Sequence, residues 1–138
     1  MPTLTHLFRR TVLVAAFALC FLRAAAADGS DLGQSAGSIL VPAGASKSEV
    51  KNAITSALVA RGWTVQSSTD DRVVGYLKHR SNEATLTLVY DESKIDLFCV
   101  GWQINKNTGA HEKPEQPTGW LKYLRADIPK ILGAGGRK

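Results

Sequence analysis

The sequence predicts an α+β fold, a two-layer sandwich in which a four-stranded antiparallel meander carries an N-terminal and a C-terminal helix on one face. Three observations predict it. Apolar residues recur at helical spacing after residue 46 and again after residue 118. Between Trp63 and Trp102 the apolar spacing changes to two, as in strands. Turn residues divide that stretch at short intervals, and connections this short join antiparallel neighbours.

The first helix has a clear start and end in the sequence. Ser46 and Glu49 form the Ser-x-x-Glu pattern of a capping box, in which the two side chains bind free backbone N–H groups of the first turn. Gly62 ends the helix because glycine enters the left-handed conformation without steric cost. The apolar residues of one stripe predict the buried side: Val50, Ala53, Ile54, Ala57 and Leu58.

Four strands are predicted, over residues 63–67, 72–80, 84–90 and 95–102. Polar turn residues separate them at 70–71, 81–82 and 91–94. One face of this sheet is uniformly apolar and is expected to lie under the helices. It carries Val73, Leu77, Leu86, Leu88, Ile95 and Leu97.

The segments around this unit define a single domain over residues 38–132. The small, polar, glycine-rich residues 28–37 predict a flexible lead. Residues 38–41 precede a proline, so they are expected to form an edge strand or a packed tether. Residues 103–117 read as one long polar loop, and residues 133–138 as a loose tail.

The C-terminal helix is predicted over residues 118–132. Its buried stripe is expected to contain Leu121, Leu124, Ile128 and Ile131. Pro129 lacks a backbone N–H and crowds the preceding turn, so a kink or a stop is expected near Asp127.

Residues 1–27 have the layout of a cleavable secretory signal peptide. A basic pair at 9–10 precedes an uncharged run over 11–22, which is shorter than the ~20 residues of a membrane-spanning helix. Small residues favour cleavage between Ala27 and Asp28, which predicts a periplasmic or secreted product without stable membrane insertion. A retained anchor is the alternative. Lipidation at Cys20 is disfavoured because Leu19 is large for a lipoprotein cleavage site.

Removal of this leader changes the charge and the cysteine content. Residues 1–27 hold three arginines and no acid, so the formal charge falls from +5 to +2. The remaining basic residues are scattered among acids, and nucleic acid is therefore not an expected partner. Cys99 stays as the single cysteine and has no partner for an internal disulfide.

Three stretches of the sequence resemble those of a known group of proteins. They are Arg61-Gly-Trp-Thr-Val65 after the first helix, Leu88-Val-Tyr-Asp91 before the last strand, and Trp120-Leu-Lys-Tyr-Leu-Arg-Ala-Asp-Ile128 at the end. Together they resemble small uncharacterised exported proteins and lipoproteins of Gram-negative bacteria. The resemblance covers roughly residues 38–132 and implies an envelope location and an α+β fold. It transfers no catalytic residue.

No catalytic, cofactor or metal constellation is expected. His79 and His111 are too few for a zinc site. A thiol enzyme or hydrolase, with Cys99 as nucleophile and either histidine as base, is the weaker alternative. The position of Cys99 near Ile95 and Leu97 favours a buried small apolar residue instead.

The second sheet face is the candidate interaction surface, because exposed apolar area with aromatic residues often marks a binding site. Coverage by the long loop or the lead is the alternative. The surface comprises Val74, Tyr76, Lys78, Thr85, Thr87, Val89, Phe98, Val100 and Trp102.

Two functional classes follow from these expectations. The preferred one is an exported, non-catalytic envelope protein that binds another envelope protein or a second copy of itself through the open sheet face or an edge strand. The alternative is a small-ligand-binding or accessory domain. It would use a groove between loop 103–117 and the C-terminal helix, where Trp102, His111 and Trp120 are expected to meet.

Overall fold

The computed structural model describes residues 32–135, which form an α+β unit of six strands and two helices. The predicted leader, residues 28–31 and residues 136–138 lie outside this range. The α+β class is confirmed, whereas the sheet has six strands instead of the predicted four. In chain order the elements are β1 (Gln34–Leu40), α1 (Lys47–Ala60), β2 (Thr64–Ser68), β3 (Arg72–His79), β4 (Asn82–Tyr90), β5 (Lys94–Ile104), β6 (His111–Pro114) and α2 (Thr118–Gly135).

The strands form one antiparallel sheet in the order β1-β5-β4-β3-β2, and β6 also pairs with β5. The register of β3 with β4 and of β4 with β5 runs without interruption. The outer side of β5 is shared by two short strands, because β1 pairs with residues 94–99 and β6 with residues 102–104. The predicted meander is therefore the middle of a larger sheet.

β6 lies in a segment predicted to be a loop, and β1 extends the possible edge strand at 38–41 toward the N-terminus. β1 begins at Gln34, inside the predicted flexible lead, and residues 38–40 prove to be an edge strand. Ile39 anchors β1, since it is buried opposite Ile95. A bulge at Ala36 and Gly37, where Gly37 has a φ of +101°, lets the glycine-rich stretch join the ladder.

β6 forms inside the predicted loop 103–117 because a tight turn reverses the chain. The Asn105 side chain accepts hydrogen bonds from the backbone N–H groups of Asn107 and Thr108 at 2.9 and 3.1 Å. Gly109 follows with a φ of +73°, and the Asn105 N–H donates to the carbonyl of Ala110.

α1 has the predicted ends and the predicted buried stripe. Both bonds of the capping box are present: the Glu49 N–H donates to the Ser46 hydroxyl at 3.1 Å, and the Ser46 N–H donates to the Glu49 carboxylate at 2.9 Å. Gly62 follows the helix with a φ of +81°. All five residues of the predicted stripe are buried.

α2 differs from its prediction in three ways. It continues through Pro129 to Gly135, so it does not stop near Asp127, and residues 133–135 are helical instead of loose. Leu132, and not Ile131, completes the buried stripe, because Ile131 keeps 36 % of its surface exposed. A proline removes only one backbone hydrogen bond, and the buried side chains on both sides of Pro129 keep the helix packed.

The buried side chains of both helices and of one sheet face form a single core. All six sheet residues predicted to be covered lie in or against this core, with Leu77 only partly buried. The predicted assignment of the covered face is therefore confirmed.

Candidate functional site

The opposite sheet face, which we call the open face, is outside the core that the two helices join. None of its nine predicted residues belongs to that core cluster. They alternate with the covered residues along β3, β4 and β5, so the two-residue repeat of the strands places them here. Thr87 is 6 % exposed and Val100 is 40 % exposed, and most of the others are half-buried. The surface is continuous across three strands.

Three side chains meet at one end of the open face. The rings of Trp102 and His111 stack with centroids 4.6 Å apart and planes 8° from parallel. The His111 Nε2 atom lies 3.1 Å from the Glu83 Oε1 atom. β6 positions His111 for these contacts, while the pairing of β4 with β5 places Glu83 opposite Trp102.

The surroundings of two ionisable groups on the open face shift their pKa values. Burial raises the pKa of Tyr76, and the nearby negative charge of Glu83 raises it further. Asp96 has a lowered pKa because the Ser38 hydroxyl donates to it at 2.5 Å, and because Lys94 lies 3.0 Å from its other oxygen. Neither Tyr76 nor Asp96 forms a nucleophile–base pair with the neighbours that shift its pKa.

The predicted alternative, coverage of this face by the loop or the lead, holds only at its margins. His111, which lies in the segment predicted to be a loop, stacks on Trp102 and covers it. Gly33 lies so close to Val100 that a Cβ at this position would come within 2.6 Å of the Val100 Cγ2 atom. Tyr76, Thr85 and Phe98, toward the middle of the face, stay partly accessible.

The edges of the sheet are irregular. β2 is short and its pairing shifts between Val65 and Ser67. β1 has its bulge at Ala36, and the Arg125 side chain of α2 donates to the Ala36 carbonyl at 3.3 Å. Bulges and covered carbonyls reduce the ability of an edge to accept another strand.

A second candidate site, which we call the tryptophan cavity, lies beside the helices. Its volume is about 500 Å³, which is within the range of small-molecule sites. Trp63 and Trp120 form part of its wall, with ring centroids 6.0 Å apart and planes 86° apart. The remaining lining residues are Arg61, Gly62, Leu77, Lys78, His79 and Tyr123.

Trp63 contributes a buried donor to this region. The residue is 3 % exposed, and its Nε1 atom has no hydrogen-bond partner among the described residues. Burial of a donor without a partner costs about 1–3 kcal/mol. Trp63 directly follows the glycine that ends α1, so the chain places its indole between the helix end and the sheet.

Arg61 is held at the cavity by two contacts. Its Nε atom lies 2.6 Å from the Asp127 Oδ2 atom, and its guanidinium carbon lies 4.6 Å from the centre of the Tyr123 ring. The hydrogen bond from Arg61 holds the pKa of Asp127 below its ordinary value. Because Asp127 accepts from Nε, the two terminal nitrogens of the guanidinium stay available as donors.

The predicted groove residues have different surroundings. Trp102 and His111 come together as expected, whereas Trp120 contacts Trp63. Trp120 lines the tryptophan cavity and a smaller one near residues 115–119, and His111 lines neither. A ligand site that unites His111 with Trp120 stays a prediction.

No local pattern in the sequence predicts the tryptophan cavity. Arg61 and Tyr123 stand out in the sequence only as members of the resembling stretches, and Trp63 also as the start of a predicted strand. The available signal was an arginine and a tryptophan on either side of a helix-ending glycine, but their partners on α2 are far away in sequence.

Cys99 faces the core and is 1 % exposed. Burial raises the pKa of its thiol to about 11. His79 lines the tryptophan cavity, and His111 stacks on the open face. Between residues 32 and 135 no three His, Cys, Asp or Glu side chains are grouped so that they would hold a metal ion.

Neither helix of the described part has the length and apolarity that a membrane crossing requires. No protein-family model, curated protein or solved structure matches the chain.

Proposed function

We propose that this chain is an exported, non-catalytic protein of a bacterial envelope that binds another protein through the open face. In this view the fold is a two-layer sandwich with its second sheet face left for a partner. The single observation that carries the proposal is the division of the sheet: one face joins the core of both helices, while nine residues of the other lie outside that core. Accessible valine, tyrosine, phenylalanine and threonine side chains on one continuous surface are typical of binding sites.

The open face is a better site than an edge strand. The three outer strands β1, β2 and β6 all pair with a shift in register, and Arg125 covers a carbonyl of β1. The central strands, by contrast, keep a regular register. Two sheet faces that pack against each other lie ~10 Å apart.

The partner we propose is a second copy of the chain. On the open face Phe98 and Val100 lie beside Thr87 and Thr85 of β4, and the surface also carries charges of both signs, such as Lys78 and Asp96. A surface with both charge types at its rim can face a copy of itself without a net repulsion. Closed two-fold dimers are the commonest soluble oligomers.

Sedimentation equilibrium of the purified product tests this proposal. Wild-type protein is expected to show a concentration-dependent monomer–dimer equilibrium. Phe98→Asp places a charge in the middle of the open face and is expected to weaken dimerisation by about tenfold or more. Val59→Asp is the matched control, because Val59 is a 61 % exposed apolar residue on α1. It is expected to dimerise like wild type.

A monomer at every concentration contradicts self-association. In that case, capture from the native envelope with wild type and Phe98→Asp side by side decides the wider proposal. If the same proteins bind both, the open face is not the binding site.

Export is a separate part of the proposal. It is supported by the leader-like residues 1–27 and by the resemblance to exported proteins. Expression of the full chain in a Gram-negative host, followed by mass measurement of the product, is expected to give a protein that begins at Asp28. A product that still begins at Met1 contradicts cleavage.

A further inference from the structure

We propose that the tryptophan cavity binds a small organic anion that carries a planar apolar body, such as an aromatic carboxylate. The inference goes beyond the proposed function, because the cavity is lined mainly by residues of the helix side of the sheet and shares only Lys78, at the end of β3, with the open face.

The cavity matches the apolar part of such a molecule. Trp63, Trp120 and Tyr123 contribute aromatic surface, and Leu77 adds aliphatic surface. Aromatic rings pack favourably edge-to-face or offset against other rings, and the two tryptophans already stand in an edge arrangement. At about 500 Å³ the cavity has room for a one- or two-ring molecule.

The charge of the lining matches the anionic part. Arg61, Lys78 and His79 line the cavity, and no acidic residue does. Asp127 is the acid nearest to Arg61, and it is already hydrogen-bonded to the guanidinium at Nε. The lining is therefore complementary to a negative ligand.

Arg61 is prepared for an anion by its own contacts. Asp127 and Tyr123 fix the plane of the guanidinium, at 2.6 Å and 4.6 Å respectively. The terminal nitrogens can then donate two parallel hydrogen bonds to a carboxylate.

The indole ring of Trp63 lines the cavity, whereas its Nε1–H is shielded from solvent and lacks a partner among the described residues. The ring therefore contributes aromatic surface to the site, and the proposal does not depend on the N–H.

Isothermal titration calorimetry with two pairs of probes tests the proposal. The anions are indole-3-acetate and 2-naphthoate, and their neutral counterparts are indole-3-acetamide and 2-naphthamide. Wild-type protein is expected to bind the anions at least about tenfold more tightly than the amides, since charged hydrogen bonds to Arg61 are lost with the charge.

Three variants locate the site. Arg61→Met is expected to reduce the affinity for the anions by about tenfold or more and to leave the affinity for the amides nearly unchanged. Trp120→Leu is expected to weaken both probe types. Lys122→Met removes an exposed charge of α2 outside the cavity lining and is the matched control, which is expected to bind like wild type.

Two further measurements keep the result unambiguous. In two-dimensional NMR spectra with ¹⁵N label, the Trp63 indole N–H signal is expected to shift on addition of 2-naphthoate, and the Trp102 signal to stay in place. Urea melts of Arg61→Met, together with its retained affinity for the amides, are expected to show that this variant is folded under the conditions of the titration, so that loss of folding does not explain the Arg61 result.

The outcomes separate this proposal from the open-face proposal. Phe98→Asp is expected to bind the anions like wild type whether or not the protein dimerises. Equal affinity for anions and amides, an unchanged affinity in Arg61→Met, or no binding of any probe would each overturn the tryptophan cavity as an anion site.

Discussion

At the scale of single residues, a hydrogen bond between strands that are far apart in sequence lowers the pKa of a carboxyl group. The Ser38 hydroxyl of β1 donates to Asp96 of β5 at 2.5 Å, across a separation of 58 positions in the chain. Lys94 approaches the same carboxylate. Both contacts favour the ionised form, so the folded protein holds the pKa of Asp96 below that of the unfolded chain.

This lowered pKa predicts an acid-dependent contribution to stability. A group with a lower pKa in the folded state stabilises the fold above its unfolded pKa and loses that effect as the pH falls through the folded pKa. For Asp96 the loss is expected below a pH of about 4, the ordinary range of the group. Ser38→Ala is expected to raise the pKa of Asp96 and to reduce the acid dependence of the urea midpoint.

Carboxyl-detected NMR titration and urea melts at neutral and acidic pH measure these two effects. Ser35→Ala is the control, because Ser35 lies on the same strand and has no contact with Asp96 in the described hydrogen bonds. A pKa of Asp96 that is equal in Ser38→Ala and wild type would contradict the role of the hydroxyl.

At the scale of elements, local signals determine where α1 begins and ends. The capping box and the glycine after the helix both act within four residues of the chain, and the structure contains both. Signals of this range are readable from sequence because they need no partner elsewhere in the fold.

Ser46→Ala tests the N-terminal cap of α1. The change removes the acceptor of the Glu49 N–H and is expected to lower the free energy of unfolding by about 1 kcal/mol. Ser48→Ala is the control within the first turn, since Ser48 is exposed and has no part in the capping box. Urea denaturation measures both, and equal losses would show that the cap contributes nothing specific.

Elements that depend on distant partners were harder to predict. β1 extends into a glycine-rich stretch because β5 is long enough to pair with it, and β6 exists because the turn at Asn105 returns the chain to β5. Likewise, Pro129 is tolerated because α2 is packed on both sides of it. The predicted strands, faces and caps followed from local periodicity, whereas these features followed from tertiary contacts.

The two candidate sites also differ in whether local periodicity or tertiary contacts determine them. Strand alternation was enough to place all nine residues of the open face together. The tryptophan cavity depends on Arg61 and Asp127, which are 66 positions apart and meet only when α1 and α2 pack. No periodicity within either helix indicates that contact.

At the scale of the whole molecule, the two faces of the sheet have unequal roles in stability. The covered face shares a core with both helices, and the open face contributes nothing to that core. A partner can therefore use the open face without disturbing the packing of the helices. Because of this separation, the effect of an open-face variant on binding can be measured independently of its effect on folding.

Two adjacent residues of β4 test this asymmetry. Leu88 is fully buried on the covered face, while Val89 is half-buried on the open face. Leu88→Ala leaves a cavity in the core and is expected to lower the free energy of unfolding by ~2–5 kcal/mol. Val89→Ala removes less apolar surface at a site that solvent already reaches, so a loss of about 1 kcal/mol or less is expected. Urea melts of both variants at one temperature measure the difference. Similar losses would mean that both faces support the fold, and the open face would then be part of the core instead of a surface for a partner.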